Sequence, residues 1–162
     1  MKKLLLSAAL LLCMCIGMNA QVKLSFIDGP IGLDWKFKRS FLSGNTLVVD
    51  FVVENNTSKD IECMVAPTYG TGLKAFDDEG NVYTYENKNF SGITGSKNQI
   101  WVWESIPVGN MIKVRLQISG IDEYATIIKT LVVPISTDAT NGRNPVAQQS
   151  ELRVTNIPIP RE

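Results

Sequence analysis

The chain has 162 residues, with 16 basic and 16 acidic side chains and no histidine. With no net positive charge and only scattered Lys and Arg, there is no electrostatic footprint for nucleic acid. Without histidine, a Ser-His-Asp or Cys-His centre cannot be assembled within one chain, and three cysteines are too few for a structural zinc site.

The chain opens on Met1-Lys-Lys and an uncharged apolar run from Leu4 to Ile16, followed by Met18-Asn-Ala20. A short basic segment, an apolar run too short to span a bilayer comfortably, and a terminal Ala predict a signal peptide over residues 1–20. Cleavage after Gly17 is the alternative. The protein is therefore expected to be exported to the periplasm or beyond, with no transmembrane segment after cleavage. Lipidation at Cys13 or Cys15 is disfavoured, because Leu12 and Met14 stand where a lipobox requires a small residue. Removal of residues 1–20 leaves 142 residues with a net charge of −2, a length typical of one domain, 21–162. A single cysteine, Cys63, then remains, so no internal disulfide is expected.

Past the leader, Trp35–Ser43 and Thr46–Glu54 read as a hairpin about Gly44-Asn45, with Leu47, Val49, Phe51 and Val53 on one face. Ile61 to Val65 follows as a strand in which Cys63 alternates with Ile61 and Val65, a pattern that favours a buried thiol. Leu73–Phe76 and Val82–Tyr85 flank an acidic turn, Asp77-Asp-Glu-Gly-Asn81, read as a solvated hairpin tip. The turn lacks the spaced ligands of a calcium loop. Gly70-Thr-Gly-Leu-Lys-Ala75 matches a loose dinucleotide fingerprint, but a turn follows it where a helix is needed. No cofactor or metal is expected.

Asn87–Asn98 reads as a long exposed loop and Ile100–Trp103 as a short strand. Met111–Gly120 alternates cleanly, with Ile112, Val114, Leu116 and Ile118 facing one way. Asp122–Thr126 is compatible with one helical turn before Ile127–Ile135 resumes as strand. Thr137–Gln149 is polar and expected to be mobile, and Glu151–Pro160 reads as a terminal strand. No run of ten residues keeps helical periodicity. Seven to nine short strands between turn signals predict an all-β, antiparallel immunoglobulin-like sandwich.

The run Ser43-Gly-Asn-Thr-Leu-Val-Val-Asp-Phe-Val-Val-Glu-Asn-Asn-Thr57 is the first of three stretches that carry a family likeness. The others are Ala75-Phe-Asp-Asp-Glu-Gly-Asn-Val-Tyr83, and Ile106-Pro-Val-Gly109 with Val114-Arg-Leu116. Together, over Trp35 to Ile135, they resemble the secreted immunoglobulin-like domains of the DUF4352-like group. That resemblance implies the sandwich fold and supplies no catalytic residues.

Trp101 and Trp103 are the feature with functional flavour. At a period of two, both indoles leave the same face of a strand, either outward as an aromatic platform or inward as core. Tyr83 and Tyr85 pose the same choice. These four are the candidate ligand-binding residues. The expected function is a non-enzymatic binding or interaction module with a protein or glycan partner in the cell envelope, using the loops 87–98 and 137–149. The alternative is a carbohydrate-binding module or small glycan-active protein built on Trp101 and Trp103. A subunit of a surface assembly, donating its terminal strand, is the third possibility.

Overall fold

In the computed structural model, which describes residues 21–27, 32–66, 72–93, 102–138 and 148–161, the alternating segments pair into two antiparallel sheets. The strands are β1 (Lys23–Ile27), β2 (Leu33–Ser43), β3 (Thr46–Asn55), β4 (Ile61–Val65), β5 (Lys74–Asp77) and β6 (Val82–Thr84). They continue as β7 (Phe90–Ile93), β8 (Val102–Ile106), β9 (Met111–Ile118), β10 (Ile127–Asp138) and β11 (Gln148–Pro158). One sheet runs β2-β3-β9-β7. The other runs β1-β11-β10-β4-β8, with β5 beside β10 and β6 beside β5.

Seven of these strands reproduce the immunoglobulin order. Taken as A to G, strands β2, β3, β4, β7, β9, β10 and β11 give A-B-E-D in one sheet and C-F-G in the other. The expected sandwich is therefore present, and β1, β5, β6 and β8 add four strands to its seven-strand core.

The core lies between the sheets. Leu47, Val49, Phe51 and Val53 of β3 and Val114, Leu116 and Ile118 of β9 face Cys63, Val65, Leu131, Val133, Leu152 and Val154 of the other layer, all buried. Each fully buried aliphatic side chain contributes about 1.5–3 kcal/mol, so this double layer is the main source of stability. Gly44 has φ +63° at the first position of the β2–β3 turn, where a two-residue hairpin of type II′ needs glycine.

Strands β4 and β5 lie end to end along one side of β10. The gap falls at Pro134, whose carbonyl accepts from Ala66 N (2.8 Å). A proline inside β10 is tolerated there because the neighbouring strand is interrupted and asks for no donor.

Several expectations are corrected by pairing that sequence alternation does not report. The segment 87–98, read as an exposed loop, contains β7, which adds to the free side of β9 with an irregularity between Phe90 and Gly92. The strand read at Ile100–Trp103 is β8 at Val102–Ile106, shifted toward Ile106 because that residue is fully buried opposite Ile61. The ends of the segment read as mobile belong to strands: Thr137 is buried opposite Cys63, and Gln148 pairs with Thr137. Residues 94–98 and 139–147 lie outside the described residues, as do residues 1–20. Asp122–Thr126 is a bend closed by one hydrogen bond, Ala125 N to Asp122 O (3.3 Å), and not a helix. The Asp122 carboxylate also accepts from Tyr124 N (2.8 Å), a local turn that competes with helix. The terminal strand is β11, held on both sides by β1 and β10, so it completes its own sheet.

Candidate functional site

Glu79 and Gly80 at the apex of the acidic turn are exposed as expected, but the two aspartates are bound into the fold. Asp77 is buried, and its carboxylate accepts from Glu79 N (3.0 Å), Asn81 N (2.8 Å), Asn81 Nδ2 (2.9 Å) and Tyr83 OH (2.7 Å). Burial pushes this carboxyl up, but the hydrogen bonds from Asn81, Tyr83 and Glu79 outweigh it and hold it below its ordinary value. Asp78 accepts from Thr126 N (2.9 Å), Thr126 Oγ1 and Ile127 N (3.2 Å), fastening the turn to the start of β10. Both carboxylates are engaged in holding the fold. Among the described residues no three metal-ligating side chains come together.

Of the four aromatic candidates, Tyr83 is buried. Its hydroxyl donates to Asp77 and accepts from Asp122 N (3.2 Å), and burial is the first cause that pushes its phenol up to about 12. Tyr85 is partly buried against the core. Trp103 lies on β8 with its main chain opposite Met64; its side chain, and all of Trp101, lie outside the described residues. Cys63 is buried, and burial pushes its thiol up to about 12, so it is no nucleophile.

The structure assembles a different constellation, on the outer face of the four-stranded sheet. In β2, Phe37 stands opposite Phe51 but Arg39 stands opposite Asp50, so Lys38 is the extra residue of a bulge. The bulge reverses the phase of the strand. Trp35 and Phe37 share the inner side with Phe51 and Val53, whereas Arg39 and Phe41 turn outward opposite Asp50 and Val48. On the far side of β3, Arg115 of β9 also stands opposite Asp50.

Asp50 thus sits between two arginines, its side chain 1% exposed. Arg115 donates through Nε to Oδ1 (2.7 Å) and through Nη2 to Oδ2 (3.0 Å), while Arg39 Nε donates to Oδ2 (2.9 Å). Lys113 Nζ lies 3.4 Å from the same oxygen. The Arg115 hydrogen bonds, joined by Arg39 and Lys113, hold this carboxyl well below the usual carboxylate range despite its burial. Phe41 lies against both guanidinium groups, its ring centre 5.1 Å from that of Arg39 and 5.7 Å from that of Arg115. Three cations are held around one anion, which leaves two positive charges facing solvent.

Phe41 also lines an open cleft of about 520 Å³, together with Leu42, Gly44, Pro160 and Arg161. The cleft lies where the β2–β3 hairpin meets the segment after β11, and Ser40 Oγ donates across to Pro158 O (2.6 Å). Arg161 is fixed by donating to carbonyls: Nη2 to Ala125 O (2.9 Å) and to Asp122 O. Sequence reasoning missed this site because Arg39, Asp50 and Arg115 meet only through the register of three strands.

No family model and no curated protein matches the chain. Among solved structures it is similar to the ASH / PapD-like domain of human CEP192 (PapD-like domain 7), at 9% identity and a TM-score of 0.45. That likeness covers 80% of this chain and 87% of that one.

Proposed function

We propose that the chain is an exported, non-enzymatic binding module of the cell envelope with a protein or glycan partner. The observation that carries this reading is the fate of the buried ionisable groups. A catalytic acid, base or nucleophile is kept poised, with its protonation tuned toward the operating pH. Here Asp50 is neutralised by cations, Asp77 is saturated by hydrogen bonds, and the Cys63 thiol is driven away from its reactive form. What faces outward is a fixed cationic surface beside a cleft. Export rests on the Met1–Ala20 segment.

Expression with the native leader, followed by fractionation, mass measurement and passage of the immobilised mature chain over envelope extract, tests the reading. The expected product begins at Gln21, lies outside the cytoplasm, and retains an envelope component that elutes chemically unchanged. A cytoplasmic chain that keeps Met1 removes the export. Release of an altered component, abolished by neutralising one acidic side chain, makes the protein an enzyme instead.

A further inference from the structure

We infer that the cleft at the β2–β3 hairpin and the cations beside it are a docking site for an acidic, extended polypeptide segment that carries an apolar side chain. The inference deepens the binding-module reading and rests on it. Three independent features of the same few residues converge on this occupant.

The first is charge. Arg39 spends only its Nε on Asp50, and Arg115 spends Nε and one Nη, so both guanidiniums keep unused donors. Lys113, at 3.4 Å, is held more loosely. The arginine side chains are tied at one end by the carboxylate and packed along Phe41, so the ordering entropy that usually weakens surface charges is already spent. Arg161 places a further cation on the cleft wall. The complement of this surface is anionic, and arginine matches carboxylates in geometry as well as charge.

The second is shape. Phe41, Leu42 and Pro160 give the cleft an apolar lining immediately beside those cations, so the ligand joins carboxylates to an apolar group.

The third is the main chain. Among the described residues β2 is an edge strand that pairs with β3 alone. Next to a two-residue turn the opposed pairs alternate between hydrogen-bonded and not. Ser43 with Thr46, Phe41 with Val48, and Arg39 with Asp50 are the bonded pairs, so the peptide groups of Leu42 and Ser40 turn away from β3. Leu42 lines the cleft. Ser40 is already held to Pro158 O through its hydroxyl, so the Leu42 peptide group at the cleft is the one placed to recognise another polypeptide backbone, which neither a lipid headgroup nor a free phosphate offers.

The experiment uses the mature chain and a fluorescein-labelled, capped pentapeptide, Asp-Glu-Phe-Glu-Asp, read by anisotropy at low salt. The Asn-Gln-Phe-Gln-Asn peptide is the control. The acidic peptide is expected to bind, and the control to bind at least about tenfold more weakly. Loss of one charge-assisted contact in Arg39→Ala or Lys113→Ala is expected to weaken binding by about tenfold. Phe41→Ala weakens both peptides' contacts in the cleft.

Asp50→Asn is the sharpest arm. It raises the net positive charge but releases the guanidiniums, so an organised site loses affinity, whereas simple electrostatic attraction would increase it. Circular dichroism and thermal melts confirm that each variant is folded. Higher affinity in Asp50→Asn, or variants that bind like the wild type, overturns the inference. Displacement of the peptide by equimolar inorganic phosphate, or by vesicles containing phosphatidylglycerol, overturns the polypeptide assignment. If folded Arg39→Ala and Lys113→Ala chains retain the envelope component as the wild type does, this site falls while the binding-module reading stands.

Discussion

Replacing Asp77 by Asn removes one oxygen from a four-bonded buried carboxylate and leaves its shape unchanged. Asn keeps an acceptor for the main-chain donors of Glu79 and Asn81, which share Oδ1. At the Oδ2 position an NH₂ group would face Asn81 Nδ2 and the Tyr83 hydroxyl, both donors. Asn81 is half-exposed and turns to water at little cost. Tyr83 is 3% exposed, and its hydroxyl already accepts from Asp122 N, so it cannot simply reverse its role. A hydrogen bond to a charged partner contributes about 1.5–3 kcal/mol, and the weaker Asn81 contact adds about 0.5 kcal/mol. The expected destabilisation at neutral pH is therefore about 2–3 kcal/mol, a fall of roughly 5–10 °C in melting temperature. Tyr83→Phe removes the same bond from the other side and is expected to cost about 1–2 kcal/mol. The double variant is expected to be little worse than Asp77→Asn alone, a coupling of about 1 kcal/mol or more. Acid gives a second reading. Because the folded carboxyl is held below its unfolded value, its contribution is complete above about pH 4 and is lost as pH falls through the lower folded value. The gap between wild type and Asp77→Asn is expected to close in acid. Urea denaturation followed by tryptophan fluorescence measures all four chains. A cost below about 0.5 kcal/mol for Asp77→Asn, or strictly additive effects, would refute the reasoning.

Three further outcomes follow from individual contacts. Asp50→Ala breaks a buried charge cluster, for which about 3–5 kcal/mol is usual. Arg39 and Lys113 are more than half exposed and escape to water, so about 1.5–3 kcal/mol is expected by urea denaturation at pH 7, shrinking as acid protonates Asp50 in the wild type. Cys63, its thiol pushed up to about 12 by burial, is expected to resist a thiol-disulfide reagent at pH 8 and to react only when urea unfolds the chain; rapid native labelling would contradict its burial. Gly32→Ala would place a methyl 1.9 Å from Thr57 Cγ2 at φ +88°, and Thr57 is anchored through its hydroxyl to Asn55 and Lys59. It is expected to lower stability by more than about 2 kcal/mol, against about 1 kcal/mol for Gly44→Ala, which has open space around it.

The core was legible wherever one strand face is uniformly apolar. The alternations of Leu47 to Val53, Ile61 to Val65 and Val114 to Ile118 each report a buried face directly, because the side-chain period of a strand is two. Legibility failed where the backbone breaks that period. Trp35, Phe37, Arg39 and Phe41 look like one face, and the bulge at Lys38 sends the last two to the opposite side. β1 was missed because Leu24 and Phe26 alternate over only five residues with little burial to mark a face. The aspartates of the acidic turn were misread because composition shows charge and not destination; the partners of Asp77 and Asp78 include residues up to 49 positions away. The cationic site was hidden for the same reason. Its members lie on three strands, and only the hydrogen-bond register, which composition does not encode, places Arg39 and Arg115 on either side of Asp50.

A buried charge surrounded by opposite charges is weak evidence of stabilisation, because desolvation cancels much of the attraction and an apolar group of similar size often serves as well. Asp50 sits between Val48 and Val52 on the phase of β3 that faces away from the core, where another valine would extend an apolar stripe covered by Phe41. An apolar residue there would leave Arg39, Lys113 and Arg115 as three independent, mobile cations. The carboxylate converts them into a fixed array beside Phe41, whose ring also lines the cleft. Stability alone therefore gives little reason for Asp50, whereas recognition of an anionic segment gives a direct one. The two accounts separate in measurement. A merely structural Asp50 changes the urea midpoint and leaves peptide affinity to follow net charge, whereas an organising Asp50 lowers affinity even as the net positive charge rises.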